Sequence, residues 1–129
     1  MINFHSKRIQ LFIISAIICI VSILFYRFTF NNTTELDTVS HFFGGISVSL
    51  ALLYFLDIFK LPYNGRFVVL LFICIVGFEV LEYLTGQYPY NTSRLIDSPE
   101  SKIDTLIDII SGFIGGLMAK QWWCKWESS

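Results

Sequence analysis

Apolar residues fall along this chain in four long blocks, roughly Ile9–Phe30, Thr38–Phe59, Phe67–Leu84 and Ile103–Trp122. Each is close to the about 20 residues with which an α-helix crosses roughly 30 Å of bilayer hydrocarbon. The stretches between them, "NNTTELD", "KLPYNGR" and "GQYPYNTSRLIDSPESK", leave no room for a soluble domain. The pattern predicts an all-α, polytopic membrane protein: one domain over residues 1–129, built of four transmembrane helices. The first block follows "HSKR", which has the look of a signal-peptide n-region. Its apolar run is longer than a signal core, however, and no small-x-small cleavage site follows, so it reads as a retained helix.

Composition strengthens this picture. The chain is 54 % hydrophobic and 15 % charged, too apolar for a soluble domain of its size. If the helices alternate in direction, Lys7, Arg8, Lys60, Arg66, Lys120 and Lys125 gather on one side. Arg94 and Lys102 fall on the other, with Arg27 near it. Lys and Arg favour cytoplasmic loops, so both termini are expected in the cytoplasm and the chain in the plasma or inner membrane, as a multi-pass protein. Trp122, Trp123 and Trp126 then form an aromatic belt at the cytoplasmic end of the last helix. A net charge of −1 with no basic patch excludes a nucleic-acid partner. Cys19, Cys74 and Cys124 match no metal motif or disulfide framework and read as small, buried, inert residues.

The polar positions inside the blocks carry the candidate chemistry. Glu79 and Glu82 are three apart in "GFEVLEYLTG", and Asp104 and Asp108 four apart, so each pair shares a helix face. Asp37 and His41 do the same in the second block. With alternating helices, all three pairs arrive at the same depth, the outer third of the bilayer. A carboxylate at a helix centre costs about 3 kcal/mol on insertion scales, which turns these groups inward rather than toward lipid. Helical spacing continues each polar face into small residues: Gly44 or Gly45 after His41, then Ser111 or Gly112, Gly115 and Gly116 after Asp108. Such residues let membrane helices approach closely. The second and fourth blocks also share a pattern, "DTVSHFFGG" against "DTLIDIISGFIGG", as parallel repeats do, although the first and third blocks do not repeat in the same way.

Plainer readings stand beside these. Asp37 also fits a capping box with Thr34 as N-cap. Asp104 and Asp108 are less easily explained as caps, because Asp97, Pro99 and Glu100 offer an earlier helix start. Arg27 fits an interfacial, snorkelling side chain, or a partner for the acidic cluster. Asp57 and Lys60 fit a surface pair. The sequons at Asn31, Asn32 and Asn91 carry no weight.

Carboxylates with one imidazole are hard ligands suited to a divalent cation such as Mg²⁺, Mn²⁺, Ca²⁺ or Fe²⁺, with Zn²⁺ also open. The candidate ligands are His41, Glu79, Glu82, Asp104 and Asp108, with Asp37 in either role. In an enzymatic reading Glu79 or Glu82 acts as a base, and cation-bound water attacks an envelope lipid or glycolipid at the outer leaflet. In a non-enzymatic reading the cluster holds a cation or proton, alone or in an oligomer, or fixes helix packing in an accessory protein. The loop Gln87–Lys102 is long enough to cover it.

The order D-x-x-x-H-F (Asp37, His41, Phe42), E-x-x-E (Glu79, Glu82) and D-x-x-x-D followed by glycine (Asp104, Asp108, Gly115) resembles the YjdF-type inner-membrane proteins. It is also similar to the VanZ-like family, with Gly112 where an asparagine is expected and Glu82 where glutamine is typical. The resemblance spans Asp37 to Gly116 and implies a bacterial multi-pass membrane protein with a cell-envelope role. VanZ-like members are associated with tolerance of glycopeptide antibiotics.

Overall fold

The computed structural model describes residues 4–28, 34–85 and 99–127, all but one short connection of them helical. Helix α1 spans Phe4–Phe28, α2 Thr34–Ile58, α3 Gly65–Thr85 and α4 Pro99–Glu127. Each helix covers most or all of one apolar block and begins in the polar residues before it. Pro99 opens α4 at the first turn, where its fixed φ suits a helix and its missing N–H is not needed. Asp97, the expected cap, lies outside the described residues, as do the sequons and Arg94. Thr34 begins α2 itself, within a residue of the expected cap.

The turn between α2 and α3 is closed by local chemistry. The Leu61 N–H donates to the Leu56 carbonyl at 2.8 Å and the Lys60 N–H to the Asp57 carbonyl at 3.1 Å. That pair of bonds is a Schellman motif, and it needs a left-handed residue after the helix. Lys60 takes that conformation, with φ of 51°, although glycine is the usual occupant. Pro62 then prevents the helix from resuming, and Asn64 stands at the N-cap position before Gly65. The Tyr63 hydroxyl donates to Asp57 Oδ1 at 3.2 Å.

Side-chain contacts fix the helix directions. Ser47 of α2 bonds the carbonyl of Ser15 on α1, while Phe12 stacks on Tyr54 at 6.3 Å, so α1 and α2 are antiparallel. Helix α3 runs against α4: Gly112 lies by Ile75, Gly116 by Leu71, and Lys120 Nζ sits 5.0 Å over the Phe67 ring. Helices α2 and α4 are parallel, with Thr38 against Asp108 and Ser49 against Gly116. The start of α1 and the end of α4 therefore lie at one end of the molecule.

The four helices do not pack as a symmetrical bundle. Among the described residues, the packed unit is α2, α3 and α4, and α1 touches α2 alone. The most extensive contact joins α2 and α4, and glycine makes it possible. A Cβ on Gly45 would fall inside the Gly112 carbonyl, and one on Gly115 inside the carbonyl of Phe42. Gly45 meets Gly112 and Ser49 meets Gly116, so the two similar segments pack on each other at equivalent positions. The Ser49 hydroxyl, fully buried, donates to the Gly116 carbonyl at 2.7 Å and ties this seam.

Polarity is arranged inside-out. Large apolar side chains face outward on every helix, among them Ile17, Ile20, Phe55, Ile73, Leu84 and Ile114. A soluble protein does not carry apolar surface on that scale, whereas a bilayer covers it. The interior divides along the axis. At the end where α3 begins, Leu53, Phe67, Leu71 and Trp123 form an apolar core. At the opposite end the buried side chains are polar: His41, Glu79 and Asp108. Two helical stretches, Thr38–Ile58 and Gly65–Leu84, are apolar and long enough to cross a bilayer, and α1 has a shorter apolar stretch at Phe12–Val21.

Candidate functional site

His41 lies on α2 one turn before the glycine seam, and its backbone carbonyl sits over Gly112 of α4. The His41 ring turns toward α3. There Glu79 and Glu82, on one face of α3, meet it from both sides. His41 Nδ1 is 3.2 Å from Glu79 Oε1, and His41 Nε2 is 3.7 Å from Glu82 Oε2. The ring is further fixed edge-on by Phe78, with ring centres 5.8 Å apart. His41 and Glu79 are buried, while the Glu82 side chain is 28 % exposed, so the cluster opens on the Glu82 side.

The three side chains each bring one donor atom within 4.8 Å of the others. Ligands sharing a small divalent cation at about 2.0–2.2 Å stand roughly 3–4 Å apart. The two His41 contacts differ in that light. At 3.2 Å, Nδ1 and Glu79 Oε1 are in ion-pair contact without hydrogen-bond geometry, and at 3.7 Å Nε2 and Glu82 are too far for a hydrogen bond. Two donors at that second separation suit a shared cation.

The carboxylates expected from α4 are placed differently. Asp108 is buried but falls outside this donor group; its Oδ1 accepts a hydrogen bond from the Thr38 hydroxyl at 3.0 Å. The neighbouring Ser111 hydroxyl donates to the Thr38 carbonyl at 2.9 Å. Asp104, half-buried a turn further out, is not in the group either. The side chains of Asp37 and Arg27 lie outside the described residues, as does the loop between α3 and α4. Sequence reasoning missed Thr38 and Ser111 as partners of this region. The signal was present, since Thr38 belongs to the "DTVSH" pattern and lies three residues before His41.

A second polar contact lies between α1 and α2. Ser15, buried, donates to the Phe12 carbonyl at 2.9 Å, and Ser47 bridges to the Ser15 carbonyl. Cys19 is half-buried beside it, whereas Cys74 and Cys124 are exposed. The expectation of uniformly buried cysteines is corrected there: both sit on outward helix faces, which in a bilayer are lipid-facing or interfacial.

An apolar exterior on two helices long enough to span, with ionisable groups turned inside, is consistent with a membrane protein, and the family comparison agrees. The model of the family described as "Predicted membrane protein (DUF2238)" matches residues 3–128. The chain belongs to this family. No curated protein and no solved structure matches it. Its membership covers all four helices, so α1, lateral in the fold, is part of the family's common unit.

Proposed function

We propose that this membrane protein crosses the inner membrane four times, with both termini in the cytoplasm, and binds a divalent cation at the His41–Glu79–Glu82 cluster. The observation that carries the reading is the 3.7 Å separation of His41 Nε2 and Glu82 Oε2 beside the 3.2 Å approach of Nδ1 to Glu79. Nε2 and Glu82 hold the cation, and Glu79 Oε1 stands 3.2 Å behind Nδ1 as an ion-pair contact. Carboxylates behind metal-bound histidines fix the ring and its tautomer in this way. Few protein ligands and an opening beside Glu82 favour a hard cation that retains waters, as Mg²⁺ and Mn²⁺ do.

Charge supports the orientation. Lys60 and Arg66 flank the turn between α2 and α3, and Lys120 and Lys125 lie toward the end of α4, all at the end opposite the cluster. The positive-inside tendency puts that end in the cytoplasm and the cluster toward the outer leaflet. The resemblance to YjdF-type and VanZ-like proteins points the same way, to the cell envelope. At that depth the ligand reached through the Glu82 side is an envelope lipid or glycolipid. With a cation bound, an activated water against its phosphoester or acyl group is the enzymatic form of the reading.

The test is elemental analysis of the protein purified in mild detergent without chelators, beside Glu82→Gln and His41→Gln. About one equivalent of a divalent metal in the parent and none in either variant is expected. Metal retained by both variants removes the assignment. A second reading has its own observation, both ring nitrogens facing carboxylates: the cluster holds a proton without a metal. A metal-free parent would direct the search there.

A further inference from the structure

The cluster draws its donors from α2 and α3, yet α4 contacts the same turn of α2 through polar groups that the cation reading leaves unused. Thr38 and His41 are three apart and share a face of α2. The Thr38 hydroxyl reaches Asp108 at 3.0 Å, and Ser111 reaches the Thr38 carbonyl at 2.9 Å. These are two interhelical bonds to one residue, just outside the point where Gly45 and Gly112 bring the backbones together. The register matters because Gly44 is open to its surroundings and Gly77, two residues before Glu79, is open as well. Glycine costs helical rigidity, so the segments that carry His41 and the glutamates are not stiffened from within.

We infer that Thr38 and Asp108 are positioning residues, a strap from α4 that holds the outer turn of α2 so that His41 stays in register with Glu79 and Glu82. Asp108 acts as a hydrogen-bond acceptor for Thr38 and not as a ligand. The inference rests on the cluster being the functional centre, but it concerns geometry and can be tested without a cation. Outer-layer partners of metal ligands typically change affinity 10–100-fold when removed.

Two measurements on the same variants test it, with Mn²⁺ as the probe cation. The first is Mn²⁺ affinity by loss of the free-ion electron paramagnetic resonance signal. The second, in chelator, is the spin-label distance distribution between Val39→Cys on α2 and Leu81→Cys on α3. Both positions face outward, and Cys19, Cys74 and Cys124 are replaced by alanine. Thr38→Val and Asp108→Ala should broaden the distribution and weaken Mn²⁺ binding about 10–100-fold. Thr38→Ser keeps the hydroxyl and Asp108→Asn keeps an acceptor oxygen, so both should hold the parent distribution and stay within about threefold in affinity. An unchanged distribution in Thr38→Val overturns the strap. So does an Asp108→Asn loss as large as that of Asp108→Ala, which would make the charge the active feature. A parent that binds no Mn²⁺ sinks the cation reading alone, since the distance distributions still judge the strap.

Discussion

Gly44 and Gly45 are neighbours in one helix, and the structure assigns opposite signs to the same substitution at the two positions. Alanine in place of a helical glycine gains about 1 kcal/mol of helix propensity when the new methyl meets nothing. Gly44 is that case, with no atom within 4 Å of the added Cβ. At Gly45 the methyl lands in the backbone carbonyl of Gly112. No rotamer change relieves a backbone clash, so α2 and α4 must move apart. Overpacking of this kind costs roughly 1–3 kcal/mol and sometimes more. Separation also stretches the Ser49 bond to Gly116 one turn further on, worth about 0.6 kcal/mol in membrane helices. The propensity gain offsets only part of this. Gly44→Ala should be more stable than the parent by about 1 kcal/mol and Gly45→Ala less stable by about 2 kcal/mol. The gap of about 3 kcal/mol is roughly a hundredfold in the folding constant. Reversible unfolding in mixed micelles with increasing sodium dodecyl sulfate, followed by tryptophan fluorescence, reads it directly. Equal stability of the two variants would refute the glycine seam as the feature that joins α2 to α4.

Lys60→Gly should raise stability by about 1 kcal/mol in the same assay, because a left-handed residue with a side chain carries a penalty of that order that glycine avoids. Ser49→Ala should lower it by about 0.6 kcal/mol, the measured scale for an interhelical bond in a bilayer, and a larger loss would mark the buried Gly116 carbonyl as left without an alternative donor. Gly116→Ala should cost less than Gly45→Ala, since its added methyl meets the side chain of Leu71, which can turn aside, and not backbone. In accessibility labelling of intact cells through single cysteines, a cysteine at Lys125 should react only after the membrane is opened; labelling from outside would invert the proposed topology.

Much of this architecture is legible in the sequence because bilayers impose simple rules. Helix positions follow from apolar length, and the inward turn of His41, Glu79 and Glu82 follows from the cost of exposing them to lipid. Spacing from the polar pairs marks Gly44 or Gly45, Ser111 or Gly112, Gly115 and Gly116; Gly45, Gly112 and Gly115 make the close α2–α4 approach, while Gly116 turns its Cα toward Leu71 of α3. Spacing tells which residues share a face, however, and not which neighbour that face meets. Asp108 shows the limit: it is buried, but its Oδ1 accepts from the Thr38 hydroxyl and it lies outside the His41–Glu79–Glu82 donor group. The lateral place of α1 was equally hidden, since its apolar residues suit lipid as well as they suit another helix. Lys60 was hidden for a different reason, because its left-handed conformation is set by the Schellman bonds and not by its own preference.

The position of the cluster follows from how unequally the helices are joined. Helices α2 and α4 meet through glycine and buried hydroxyl groups along their length, a contact that leaves little freedom. Helix α3 is joined to them by an apolar core at one end, through Phe67 and Leu71, and by His41 with its two glutamates at the other. Apolar packing between helices gains little in lipid, because the tails are as apolar as leucine. The polar end of α3 is therefore held by the same groups that would bind a cation. On the proposed reading, a cation bound there would tie the polar end of α3 to α2, with Glu82, the more exposed of the two glutamates, on its open side.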